Sequence, residues 1–287
     1  MNFPTEIDTS LSRIATDAAI QAGKAVMEIY NRDFVAEQKS DGSVITEADV
    51  KSNEILVKML SPTGITILSE EIEDSEERLN EDRVWIIDPL DGTRDFIGKT
   101  GDFTVMISLI ENGKSVLGVI YVPVHNDVYV ATKGKGTWRY SNEQWTRLYI
   151  TRTKSLPESI AVASRNHLSD AEKAFLRYLN ITQIERRGSS LKAIDICEGK
   201  ADMYITLTNK IKHWDTAASY CLITEAGGVM TDMNGNDVIY NTKDVCHTHG
   251  VLITTTSEMI RTIATKYREW NAQISDGSTS DSSSTNL

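Results

Sequence analysis

Leu11, Ile14, Ala18, Ala22, Ala25, Val26 and Ile29 recur at helical spacing behind the capping candidates Asp8, Thr9 and Ser10, which predicts an amphipathic helix with one buried face. Asp41-Gly42-Ser43 breaks the chain, and Ser43–Thr46 reads as a short extended segment leading to Glu47-Ala48-Asp49. A second helix carries Val50, Leu56, Val57 and Leu60 and stops at Ser61-Pro62. The pattern then shortens: Ile65–Leu68 and Val84–Ile87 are brief apolar runs of strand type, each ending in carboxylates. The acid-rich run Glu71–Asp82 between them predicts a mobile surface loop. Strands follow at Phe103–Ile110, Val116–Val124 and Val128–Thr132, with Asn112-Gly113 as a hairpin turn, and the antiparallel region continues to about Ile150. Tyr121, Tyr129, Trp138 and Trp145 alternate through it as sheet packing.

From Ser159 onward strands and helices alternate. Strands are expected at Ile160–Ala163, Ile181–Glu185, Met203–Leu207, Val229–Thr231 and Val251–Thr255. Helices are expected at Ser169–Leu179, opened by a Ser169-x-x-Glu172 capping box, at Leu191–Glu198, at Trp214–Ala226 and at Ser257–Trp270. A mixed α/β architecture follows, with an α+β part over residues 1–155 and an α/β part over 156–272. Residues 273–287, rich in Ser and Thr, predict a disordered tail, since the stretch from Ser275 onward cannot bury apolar surface.

Composition narrows the function. With 41 acidic against 30 basic residues the formal charge is −11, which argues against nonspecific binding to a nucleic-acid polymer or an anionic membrane. No run approaches the roughly 20 apolar residues of a membrane span, and the first residues do not read as a secretory signal. Cys197, Cys221 and Cys246 have no metal-like spacing and suit reduced thiols in a cytoplasm. His247-x-His249 beside Cys246 reads as a solvated loop rather than a soft metal site.

The candidate chemistry sits where Trp85-Ile86-Ile87-Asp88-Pro89-Leu90-Asp91-Gly92-Thr93 leaves its strand. Two carboxylates held that close repel unless a cation or proton lies between them, and oxygen ligands alone favour Mg²⁺. Gly92-Thr93 opens a turn or helix whose free N–H groups suit a phosphate. The same D-x-x-D suits a solvated turn in which the aspartates only cap a helix, and Asp49 and Asp215 likewise stand at helix starts as ordinary caps.

Asp88-Pro-Leu-Asp91-Gly-Thr93 together with Trp214-Asp215-x-Ala-Ala, preceded by Glu70-Glu71, resembles the inositol monophosphatase superfamily from the first helix to about Trp270. That resemblance implies a layered αβαβα sandwich and Mg²⁺-dependent, lithium-sensitive hydrolysis of a small phosphorylated substrate by a monomer or homodimer. It implies two or three Mg²⁺ ions held by Glu70, Asp88, the Leu90 carbonyl, Asp91 and Asp215. It pairs Asp49 with Thr93 to orient or deprotonate the attacking water, with Gly92, Thr93 and Asp215 also touching substrate.

Gly188-Ser189-Ser190-Leu191-Lys192, Asp91-Gly-Thr-Arg94-Asp95-Phe96-Ile97 and Ala163-Ser164-Arg165-Asn166-His167 look most like the bacterial 3′(2′),5′-bisphosphate nucleotidases of that superfamily. Their substrate, adenosine 3′,5′-bisphosphate, is a by-product of sulfur metabolism. Arg165 and Lys192 are then the candidate cations for its second phosphate, with Ser189 and Ser190 as donors. An inositol monophosphatase or a broad sugar phosphatase with the same metals is the alternative, and an idle binding protein a more distant one. Arg94-Asp95 stands where Lys-Glu is usual in the subgroup, and Ser219 where the superfamily generally has Gly.

Overall fold

The computed structural model describes residues 1–39, 42–151 and 154–280. Helix α1 (Ser10–Tyr30), strands β1 (Ala36–Gln38) and β2 (Val44–Thr46), helix α2 (Glu47–Leu60) and strand β3 (Thr66–Ser69) lead to β4 (Arg83–Asp91) and the short helix α3 (Thr93–Ile97). β5 (Thr104–Glu111), β6 (Lys114–Val122), β7 (Asp127–Thr132), β8 (Gly136–Ser141) and β9 (Gln144–Leu148) then form a meander. β3 to β9 lie in chain order in one seven-stranded sheet, antiparallel except where β3 runs beside β4.

The second half alternates β10 (Ile160–Ser164), α4 (Asp170–Tyr178), β11 (Gln183–Arg187), α5 (Leu191–Cys197), β12 (Met203–Thr206), α6 (His213–Glu225), β13 (Val229–Thr231), β14 (Val251–Thr254) and α7 (Ser257–Ser280). Its five strands order as β11-β10-β12-β14-β13, parallel from β11 to β12 and antiparallel beyond.

The period of two in the strands decides the layers. Trp85, Ile87, Val105, Ile107 and Val119 face α1 and α2. Their neighbours Val84, Ile86, Met106 and Ile120 face the opposite way and share a core with α5, α6 and one face of the second sheet, Val162, Tyr204 and Ile253. Ala161, Met203, Ile205 and Leu252 turn outward to α4 and α7. The result is an αβαβα sandwich. α6 lies between two sheets and is therefore apolar nearly all round, with Ala217, Ala218, Cys221, Leu222 and Ile223 buried.

Two segments differ from expectation. Residues 71–82 are pinned rather than loose: Arg78, 1% exposed, pairs with Asp74 at 2.6 Å and donates to Asn241 Oδ1 and the Thr242 carbonyl. α7 runs to Ser280, past residue 272 where the sequence predicts the ordered chain to end. Residues 281–287 of the predicted tail, and 152–153 of the junction between the two halves, lie outside the described residues.

Candidate active site

A cleft of about 1230 Å³ opens between the sheets, where β3 and β4 end and α6 begins. Its floor begins with a bulge. Asp88 pairs with Met106 and Asp91 with Thr104, so β4 fits one extra residue into the step around Pro89. In a regular strand, residues three apart point to opposite faces. The bulge instead puts Asp88 and Asp91 on the same face, the one covered by α6.

Asp215, in the first turn of α6, meets them there: Asp88, Asp91 and Asp215 each offer a carboxylate oxygen, all within 4.8 Å of one another. Glu70 follows the end of β3, donating its N–H to the Ile87 carbonyl, and lines the same cleft. Burial, then the charges of Asp215 and Glu71, push its carboxyl up to about 8. Burial and Asp91 push Asp215 up to about 7. Asp88 is raised well above the usual carboxylate range by burial, then by Glu70, Asp91 and Asp215. Asp91 is raised by burial despite Lys192 and the donors of Ser189 and Ser190.

Four such carboxyls cannot all ionise without a compensating cation. An all-oxygen donor set around uncompensated negative charge fits a hard divalent ion. The Leu90 carbonyl accepts from Thr93 Oγ1 at 3.2 Å, and its N–H donates to Asp88 Oδ1 at 3.0 Å.

Asp49 is both a cap and something more. Its Oδ2 accepts from the N–H and hydroxyl of Thr46 at 2.8 and 2.6 Å, closing a capping box on α2. Its Oδ1 accepts from Thr93 Oγ1 at 3.0 Å, across to the start of α3. Asp215 divides its oxygens likewise, with Oδ2 taking the Lys212 N–H at 2.6 Å.

The turn before α5 brings in further groups. The Ser190 N–H donates to Asp91 Oδ2 at 2.5 Å, and the Ser189 and Ser190 hydroxyls bond Thr104 Oγ1 at 3.1 and 2.7 Å. Gly92, at φ 96°, approaches closely enough that a Cβ would stand 2.8 Å from the Asp102 carbonyl oxygen. Lys192 is no solvated helix face: its ammonium bonds the Ser189 carbonyl and lies 5.5 Å from the Tyr204 ring centroid.

Arg165 departs from its expected role. Its guanidinium is engaged by Asp102 at 2.6 Å and Asp95 at 3.3 Å, and it does not line the cleft. Asp102 also accepts the Gly188 N–H at 2.9 Å and Arg187 at 3.1 Å. Burial pushes Asp102 up, yet those donors pull it below its usual value. Arg165 is thus part of a frame that fixes the 188–190 turn. Cations that do line the cleft include Lys39, Arg94, Lys210 and Lys212, together with His167. Lys39 pairs with Glu71 at 2.6 Å; burial lowers its ammonium, but Glu71, Glu70 and Asp49 outweigh that. No sequence pattern links these partners, because each pair spans separate elements.

His247 is likewise used internally, its Nε2 lying 2.7 Å from Thr216 Oγ1. Among the described residues no helix is long and apolar enough to cross a membrane.

Comparison with known proteins agrees with this geometry. The model of the inositol monophosphatase family matches residues 8–270. The chain is 35% identical over 232 residues to the 3′(2′),5′-bisphosphate nucleotidase CysQ of Escherichia coli K12, covering 79% of this chain and 92% of that protein. The Salmonella typhimurium protein of the same name is 36% identical over the same shares. Among solved structures, CysQ of Bacteroides thetaiotaomicron superposes with a TM-score of 0.76 at 32% identity, covering 86% of this chain and 98% of that one. An IMPase from Thermotoga maritima has the same fold, with a TM-score of 0.76 at 24% identity over 91% and 99% of the two chains.

Proposed function

The chain belongs to the inositol monophosphatase family, and from that premise we propose that it hydrolyses the 3′-phosphate of adenosine 3′,5′-bisphosphate to give AMP and phosphate, using Mg²⁺. The observation that carries the reading is the convergence of Asp88, Asp91 and Asp215 beside Glu70, with carboxyl groups driven up by burial and by one another. The substrate rests on the likeness to the nucleotidases over most of the chain.

In this reading Glu70, Asp88, Asp91, Asp215 and the Leu90 carbonyl would hold two or three Mg²⁺ ions. When bound, Mg²⁺ neutralises the phosphate and lowers the pKa of a water. Asp49, bonded to Thr93 Oγ1, fixes that hydroxyl so that its lone pair accepts from the attacking water. The Thr46 donors keep the second Asp49 oxygen occupied, so the carboxylate cannot rotate away from Thr93. Gly92 lets the α3 start approach the phosphate without a side chain in between. Ser189, Ser190 and Lys192 border the same floor, while Arg165 acts on substrate only through the 188–190 turn. The free cysteines suit a reducing, cytoplasmic setting.

Phosphate release in Mg²⁺, compared among adenosine 3′,5′-bisphosphate, inositol 1-phosphate and fructose 1,6-bisphosphate with Asp91→Asn as blank, tests this. The nucleotide should be strongly preferred. Equal turnover of all three, or preference for inositol phosphate, overturns the substrate. Activity that survives in Asp91→Asn overturns the metal site.

A further inference from the structure

We infer that Lys99 is a positioning residue for the proposed reaction: it latches the end of α3 to the end of α1 and so holds Thr93 where its hydroxyl meets Asp49. The inference rests on the phosphatase reading above. α3 is only five residues long, too short to be stable by its own hydrogen bonds. Its position, and that of Thr93 at its start, must come from what holds it at either end.

The far end of α3 is closed in an uncommon way. The Lys99 N–H donates to the Phe96 carbonyl at 3.2 Å and the Thr100 N–H to the Asp95 carbonyl at 3.1 Å, the paired bonds that end a helix on a left-handed residue. That residue is ordinarily glycine, yet Gly98 stands one position early, at φ −72°, and Lys99 takes φ 55°. A lysine kept in a conformation that strains its backbone points to a use for its side chain.

The side chain has one. Its ammonium donates to the carbonyl of Tyr30, the last residue of α1, where a helix leaves carbonyls unpaired and its dipole favours a cation. It also lies 4.1, 4.7 and 5.8 Å from the ring centroids of Tyr30, Phe34 and Phe96. Phe96, fully buried, carries the contact inward: it shares one small core with Phe103, Ala48 and Leu90. Ala48 precedes Asp49, and the Leu90 carbonyl accepts from Thr93 Oγ1. The latch thus closes the outer side of the core that seats both partners of the 3.0 Å bond between Thr93 and Asp49.

None of Tyr30, Phe34, Phe96 and Lys99 lines the cleft, so loss of the latch should act through Thr93. A Thr93 hydroxyl no longer held on Asp49 is free to turn from the attacking water. Turnover then falls, while binding of the substrate by the rest of the cleft is kept.

The test is phosphate release by the full chain in saturating Mg²⁺, read as kcat and KM on whichever of adenosine 3′,5′-bisphosphate and inositol 1-phosphate the wild type turns over faster. Lys99→Met keeps the stem and loses the charge, and should lower kcat by on the order of tenfold with KM within about twofold. Lys99→Arg, whose guanidinium can still meet the rings and the carbonyl, should restore most of kcat. Phe34→Leu, which removes one face of the cage, should lower kcat by roughly two- to threefold. In a Thr93→Val background Lys99→Met should lower kcat no further, because the group it positions is gone. Wild-type kcat in both Lys99→Met and Phe34→Leu overturns the inference and leaves the phosphatase reading standing. So does a Lys99→Met loss that appears in KM, or one that recurs in full on Thr93→Val and so marks general damage. A wild type that releases phosphate from neither substrate in Mg²⁺ overturns the phosphatase reading, and the inference with it.

Discussion

Glu70→Gln should stabilise the metal-free protein while weakening its response to Mg²⁺. Glu70 rises from an ordinary 4.5 to about 8 because burial and the nearby carboxylates disfavour its charged form. At pH 7 the folded chain therefore holds a proton that the unfolded chain has released. Stability from this group is fully present below pH 4.5 and is lost as pH rises toward 8. At about 1.4 kcal/mol per pH unit, the loss by pH 7 is about 3 kcal/mol. The carboxyls share their protons, so this figure belongs to the cluster's first ionisation and is not summed over its members. Glutamine keeps the shape without the charge. At roughly 2 °C per kcal/mol for a chain of this size, the variant should unfold about 6 °C higher near neutral pH. The assay is calorimetry of both proteins in EDTA from pH 5 to pH 8, repeated in Mg²⁺. The gap should be small at pH 5 and grow with pH. Saturating Mg²⁺ at a hundred times its Kd should return about 2.7 kcal/mol to the wild type and much less to the variant. A variant that unfolds at or below the wild type in EDTA at pH 7.5, or a gap that ignores pH, refutes the reasoning.

Asp49→Asn should lower kcat by on the order of 10² to 10⁴ with little change in KM, read from phosphate release at saturating substrate. Gly188→Ala would place a Cβ 2.5 Å from Asp95 Oδ2 and 2.8 Å from Asp102 Cβ, so the 188–190 turn must shift. The expected loss is about 1–3 kcal/mol in urea unfolding, together with weakened activity through the Ser190 to Asp91 bond. Arg78→Met would strand Asp74 and the Asn241 and Thr242 oxygens, and should cost about 2–3 kcal/mol by the same assay.

Much of the fold was legible because it follows local rules. The apolar spacing of α1, the strand alternation that divides Trp85 and Ile87 from Val84 and Ile86, and the Ser169 to Glu172 box are all set by near neighbours. What escaped depends on distant partners. The sequence places Asp88 and Asp91 together in a turn after Ile87, whereas β4 runs on to Asp91 and a bulge, visible only in the pairing with Met106 and Thr104, unites them. Arg165 looked like a phosphate ligand because its sequence neighbours do not show Asp95 and Asp102, which come from a distant part of the chain to hold it. The acid-rich run Glu71–Asp82 reads as a mobile loop, yet Arg78 within it bonds not only Asp74 but Asn241 and Thr242 from the second half of the chain. Lone cations are hard to place from sequence because a guanidinium serves a buried frame or a ligand equally well.

The same long-range dependence explains how a cluster of repelling acids can persist in a folded chain. Asp88 and Asp91 come from the first sheet, while Asp215 rides on α6 from the second half. The cluster therefore exists only when α6 is docked. That docking is close: a Cβ at Gly118 on β6 would lie 2.6 Å from the Ala218 carbonyl oxygen, so only glycine lets the helix seat. The apolar core on both sides of α6 holds the acids together against their mutual repulsion. Metal-free, the site is then a strained part of the molecule, held in place by packing together with the N–H groups of Leu90, Ser190 and Lys212. A divalent cation held there, as the proposed function requires, would relieve that strain and link its binding to the docking of α6.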